Sequence, residues 1–127
     1  MSTLTSVKKQ AEFILNTPIL RQIFMPISKS FVKYAGYRKM GLRQDDLLWE
    51  ENPVVQTAIR RLPADESYSR NFRIMTAHQL SLSNDVLPDS RAIQPEEDVP
   101  YLTPYILEAE AEAKEKRELD NIKLLKH

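Results

Sequence analysis

Three Xaa-Pro pairs constrain this chain more than any other feature. Thr17-Pro18, Asn52-Pro53 and Thr103-Pro104 each set a side chain able to cap a helix directly before a proline. Proline fits the first turn of a helix because the N–H it lacks would have had no intrahelical partner there. Each pair therefore predicts a helix start. The chain has eight prolines and only two glycines, so its breaks are set by proline. No run of alternating apolar and polar residues marks a strand, and no internal repeat is present. The fold class is all-α, in an open arrangement of short N-terminal helices, two central helices and a long charged C-terminal helix.

The helices follow from periodicity. The first spans about 6–15, with Val7, Ala11, Ile14 and Leu15 on one face. A second follows Pro18 with Ile19, Leu20, Ile23 and Phe24, and Pro26 breaks or restarts it. A third runs to Ala35, burying Ile27, Phe31 and Tyr34, and Gly36 ends it in the left-handed conformation. Residues 36–51 connect, with a turn of helix near Asp45 to Trp49. Asn52 caps a helix carrying Val54, Val55, Ala58, Ile59 and Leu62, which Pro63 ends. Asp65 caps the next, to about Asn84, where Tyr68, Phe72, Met75, Gln79 and Leu82 share one face. Residues 88–100 form a proline-containing acidic loop. The last helix starts at Thr103, with Tyr105, Ile106, Ala109 and Ala113 as a small apolar face. Beyond them it is charged, and Glu110→Lys114 and Glu112→Lys116 are expected as i,i+4 pairs.

The 127 residues read as a single helical domain, with 42% hydrophobic residues to form a modest core. The absence of cysteine excludes disulfides and cysteine-ligated metal. Net charge is zero but unevenly spread. Residues 1–44 carry eight Lys/Arg against Glu12 alone, while residues 45–127 carry ten against seventeen acids. The basic segment is expected to face partners or membrane, and the acidic part to face the aqueous compartment. The longest uncharged run, Ile74 to Asn84, is eleven residues, short of the roughly 20 that span a bilayer. Residues 2–11, basic, hydroxyl-rich and free of acid, are compatible with mitochondrial import.

No catalytic constellation emerges. His78 has no histidine or carboxylate three or four positions away on its helix, so it lacks a partner for general-base work and reads as a surface histidine. Asp45-Asp46 with Glu50-Glu51, and Glu96-Glu97-Asp98, match no calcium-loop spacing and are expected to be solvated acidic turns. Gly36 and Gly41 cannot make a glycine-rich phosphate loop. No cofactor and no metal is expected. Between Lys29 and Arg43, tyrosines alternate with cations. A protein interface is the first reading, a lipid surface the second, and nucleic acid is set aside because the rest of the chain is acidic. The candidate contact residues are Phe31, Tyr34, Tyr37, Arg38, Lys39, Leu42 and Trp49.

Several ordered motifs resemble a known family. They are Ala35-Gly36-Tyr37-Arg38-Lys39-Met40-Gly41-Leu42, Asp45-Asp46-Leu47, Glu51-Asn52-Pro53, Arg60-Arg61-Leu62-Pro63, Asp65-Glu66-Ser67-Tyr68 and Ala77-His78-Gln79. Further along come Glu97-Asp98-Val99-Pro100-Tyr101-Leu102, Pro104-Tyr105-Ile106-Leu107-Glu108-Ala109-Glu110 and Glu118-Leu119-Asp120-Asn121. From about residue 12 onward the chain resembles the small matrix-side helical subunit (14 kDa type) of mitochondrial ubiquinol–cytochrome c reductase, in its fungal form. The resemblance implies a non-catalytic accessory subunit, peripheral on the matrix side of the inner membrane. It implies packing against cytochrome b and the core subunits in a hetero-oligomer, with a role in assembly; the basic, apolar N-terminal third adds the expectation of an anionic lipid contact. The alternative is a free-standing peripheral membrane adaptor that binds anionic lipid through the basic N-terminus.

Overall fold

The structure is a computed structural model that describes residues 3–125. Five α-helices carry the fold: α1 (Leu4–Asn16), α2 (Pro18–Ala35), α3 (Pro53–Arg60), α4 (Ala64–Leu82) and α5 (Thr103–Leu125). Two 3₁₀ turns, Tyr37–Met40 and Gln44–Leu47, link α2 to α3. No strand occurs among the described residues.

The Xaa-Pro pairs act in three different ways. Asn52 caps α3 as expected, its side chain accepting from the Val54 N–H at 2.9 Å. Thr17 takes the extended conformation that a following proline imposes and so separates α1 from α2. Its hydroxyl, however, donates back to the Phe13 carbonyl at 3.0 Å instead of capping α2. Thr103 is not a cap but the first helical residue of α5. The N-terminal N–H groups there are satisfied from a distance. The Asp45 carboxylate accepts from Leu102 N–H and Thr103 N–H, each at 2.9 Å, and from the Thr103 hydroxyl. Asp65 is likewise not the cap of α4. Pro63 occupies that position, and Asp65 lies in the first turn, where its charge favours the helix dipole.

Pro26 does not break α2, contrary to the expected pair of short helices. It removes one N–H, freeing only the carbonyl of Gln22, which belongs to an exposed residue open to solvent. The helix runs on to Gly36, whose φ of +76° ends it in the left-handed region. Ile27, Phe31 and Tyr34 are not buried either: Phe31 is 74% and Tyr34 86% exposed. The helix touches α1 but makes no sizeable contact with α3, α4 or α5, so no element covers that face.

The apolar core is small and sits between α3 and α5. Val55, Ala58 and Leu62 pack on Leu102 and Ile106, with Leu4, Leu48, Val54, Ile59, Tyr101 and Tyr105 around them. Leu102 is fully buried, a contribution of about 1.5–3 kcal/mol from its side chain. The N-terminus of α1 is fastened to α5 by Glu110. That carboxylate accepts from Leu4 N–H at 2.7 Å, Thr5 N–H at 2.9 Å and the Thr5 hydroxyl at 2.5 Å. Glu110 therefore caps α1 instead of pairing with Lys114. Glu112 pairs with Arg61 through two bonds of 2.9 and 2.7 Å, and the i,i+4 pair observed on α5 is Lys114–Glu118.

Candidate interaction surface

Helix α4 turns two arginines inward, beside Ile74, Ala77 and Leu80, and leaves an apolar stripe on the side it turns out. Arg70, Arg73 and Ala77 face the rest of the molecule, and Arg70 is only 2% exposed. Tyr68, Phe72, Met75 and Leu82 are all well exposed. At about 100° per residue the two faces lie on opposite sides of the helix, roughly 180° apart. Hydrophobic periodicity identifies the helix, yet in the isolated chain the arginine stripe packs inside.

The reason is a buried ionic network that the inward stripe completes. Asp46, from the second 3₁₀ turn, accepts from Arg73 Nε at 2.7 Å and Nη2 at 3.0 Å, from the Arg43 N–H at 2.9 Å, and from the Tyr101 hydroxyl. Arg70 bonds Glu50. The guanidinium groups of Arg73 and Arg43 lie over the Tyr101 ring, 5.0 and 5.9 Å from its centre. Alongside, Asp98 accepts from the Tyr37 hydroxyl at 2.6 Å, Arg38 Nε at 3.0 Å and Gln44 N–H at 2.8 Å. Asp45, Asp46 and Asp98 are therefore not solvated turn residues. All three carboxylates are buried and hold distant segments together.

Their ionisation follows from these bonds. Burial alone would raise the pKa of Asp46, but the bonds from Arg73, Tyr101 and the Arg43 N–H outweigh it and hold the carboxyl below its ordinary value. Asp98 is also lowered. Burial opposes the shift, and the Gln44 N–H, Tyr37 and Arg38 overcome it. Burial, reinforced by the neighbouring carboxylate, pushes the Tyr37 and Tyr101 hydroxyls above theirs. Glu110 is lowered, its bonds from Thr5 and Leu4 exceeding the cost of burial. Each of these groups is bonded to structural partners within the chain. No group of three or more potential metal ligands occurs among the described residues.

The seven candidate contact residues divide into two sets. Phe31, Tyr34, Lys39 and Trp49 are exposed, whereas Tyr37 is buried and Arg38 and Leu42 are half-buried. Tyr37 and Arg38 are spent on Asp98. His78 lies on the exposed side of α4, as expected for a surface histidine. Sequence reasoning missed Asp45, Asp46, Asp98, Arg70, Arg73 and Glu110. A signal for part of the network was present: Glu66, Arg70, Arg73 and Ala77 recur at spacings of four, three and four, a second stripe on α4 in register with acids upstream.

Outward apolar stripes on α2 and α4 mark a helical protein with surface suited to packing against partners; among the described residues no helix is long and apolar enough to cross a membrane. The family is specific. The family model described as the ubiquinol-cytochrome C reductase complex 14kD subunit matches residues 18–117, and the chain belongs to this family. It is 58% identical over 124 residues to cytochrome b-c1 complex subunit 7 of Kluyveromyces lactis, covering 98% of each chain. Subunit 7 of Saccharomyces cerevisiae is 54% identical over 122 residues, covering 96% of each. Subunit 7 of Pongo abelii is 41% identical over 92 residues, 72% of this chain and 82% of that protein.

Proposed function

We propose that this chain is a non-catalytic accessory subunit of the mitochondrial cytochrome b-c1 complex, needed to assemble and stabilise it. The observation that carries the reading is the outward apolar stripe of α4, on a chain whose relatives are named as subunits of that complex. Exposed Tyr68, Phe72 and Met75 cost free energy in water and gain it against a partner. The ionic network behind them fixes the helix, so the surface is formed before the partner arrives.

The finer assignment is that the chain lies peripherally on the matrix side of the inner membrane, against cytochrome b and the core subunits. Residues 1–44 supply the basic partner-facing segment of a single domain, and residues 45–127 the acidic matrix-facing part. Phe31, Tyr34, Lys39 and Trp49 touch partners, while Tyr37, Arg38 and Leu42 support that surface from behind. Every relative named above is a complex subunit, which leaves the free-standing adaptor without support.

The test is native electrophoresis of mitochondrial membranes from cells lacking this chain. Loss of the assembled, active reductase is expected. A fully assembled and active complex without the chain would sink the reading.

A further inference from the structure

Folding brings cations from the two ends of the chain to one place. Glu110 anchors the start of α1 on α5 through the Leu4 and Thr5 N–H groups. Beside that anchor the two helices wall a cleft of about 1130 Å³, and the stretch that enters α3 supplies a third side. Leu4 and Val7 of α1, Leu107 of α5, and Leu48, Trp49 and Val54 of the third side give it an apolar lining. Trp49 is 61% exposed, so the largest apolar side chain of that lining stands mostly in water.

Charge defines what the cleft can take. Lys8 and Lys9 stand on the α1 wall, and Lys114 and Arg117 on the α5 wall. Two carboxylates share the lining, Glu12 and Glu110, and Glu110 is already spent on α1. Lys114 reaches Glu118 in an exposed pair at 3.7 Å, while Lys8, Lys9 and Arg117 have no ion pair among the described residues. Small-molecule sites run to about 1,000 Å³, so this cleft lies at their upper limit. An α-helix about 10 Å wide would fill the same volume over roughly 14 Å, or between two and three turns. The flat face of a bilayer cannot follow a concave surface, and a single headgroup gathers its charge at one point. Here the cations are spread along two walls, Lys114 and Arg117 alone being roughly 4.5 Å apart along the α5 axis. A helix with an apolar stripe and acids on both flanks complements that pattern, in the mode by which amphipathic helices enter grooves.

We infer that this cleft receives an acidic amphipathic helix from a protein partner. The apolar stripe of that helix packs on Val7, Trp49 and Leu107. Its carboxylates meet Lys8 and Lys9 on one flank and Lys114 and Arg117 on the other. The inference deepens the accessory-subunit reading by giving the chemistry of one neighbour, and rests on it only for where the helix comes from.

The test starts with the chain in mitochondrial membranes. A carbodiimide joins lysine amines to carboxylates that touch them. Mass spectrometry is expected to find Lys8, Lys9 or Lys114 joined to an acid of another polypeptide, in a segment whose apolar residues recur at helical spacing. Hydroxyl-radical oxidation of Trp49 should fall severalfold from its level in the isolated chain, because a packed interface excludes water. Lysines joined only to this chain or to a second copy of it, or a Trp49 as reactive as in isolation, overturn the proposal. Protection of Trp49 that lipid extraction removes, with no link to a protein, also overturns it and gives the cleft to lipid. The captured segment, made as a peptide without tryptophan, should shift the emission of the sole tryptophan, Trp49, to the blue when added to the full chain. Lys8→Gln with Lys9→Gln should weaken that binding roughly tenfold, as for two exposed ion pairs. Val7→Asp should weaken it further, whereas Phe72→Asp on α4 should leave it unchanged. Circular dichroism checks that each variant is folded, and equal affinity of the cleft variants overturns the proposal. Native electrophoresis keeps the two ideas separate. Capture by a polypeptide outside the reductase refutes the subunit reading alone. A chain that migrates with the reductase while Trp49 stays reactive refutes the cleft alone.

Discussion

Asp46 is the residue on which most of the interior depends. Its buried carboxylate ties its own turn, through the Arg43 N–H, to the Arg73 guanidinium and the Tyr101 hydroxyl from two distant stretches of chain. Removing one partner of a buried pair leaves the other charge uncompensated, typically at about 3–5 kcal/mol. Asp46→Ala and Arg73→Ala are each expected to destabilise the chain by about 3–5 kcal/mol in urea unfolding, with the double variant far short of additive. The same network fixes the pH response. Asp46 and Asp98 have lowered folded pKa values. Their contribution is therefore complete above the unfolded value near 3.8 and is lost as pH falls through the folded values. Tyr37 and Tyr101 are raised from 10.0, so their contribution is complete below that value and is lost as pH rises through the folded ones. Thermal unfolding across pH should show a plateau between these limits. A plateau edge that does not move in Asp46→Asn would contradict this account.

At the level of elements, α1 and α5 each have an N-terminus capped by a carboxylate from far along the chain. Caps of this kind contribute roughly 0.5–2 kcal/mol. Glu110→Ala is expected to lower amide-exchange protection in the first turns of α1 while α3 and α5 keep theirs. Equal loss everywhere would show that α1 is not separately fastened. Pro26 sits inside α2 at a cost, since proline is about 3 kcal/mol worse than alanine in a helix interior. Pro26→Ala should raise protection across α2 with no change in the α3–α5 core. These elements also show where sequence legibility ends. Periodicity locates α4 from Tyr68, Phe72, Met75 and Leu82, but a helix with an apolar stripe and an arginine stripe has two ways to face. Only the positions of Asp46 and Glu50 in space decide between them.

As a whole, the molecule buries charge and exposes apolar helix faces, the pattern of a chain that completes its surface against partners. Phe72→Glu together with Met75→Glu should change the stability of the isolated chain by no more than about 0.5 kcal/mol, because both side chains are already in water. The same pair is expected to deplete the chain from the assembled reductase, measured by native electrophoresis and immunoblotting. Normal incorporation would mean that α4 faces solvent in the complex too.

The sequence by itself determined that the chain is helical, where most helices begin, that Gly36 ends α2, and which family it belongs to. Those properties rest on local chemistry: proline geometry, side-chain spacing and the order of short motifs. Tertiary structure decided which face of each helix is inside, that Pro26 interrupts nothing, and that the doubled acid Asp45-Asp46 is an anchor and not a solvated turn. A carboxylate looks the same in sequence whether it meets water or a guanidinium, and only folding brings Arg73 and Tyr101 to Asp46 and the start of α5 to Asp45.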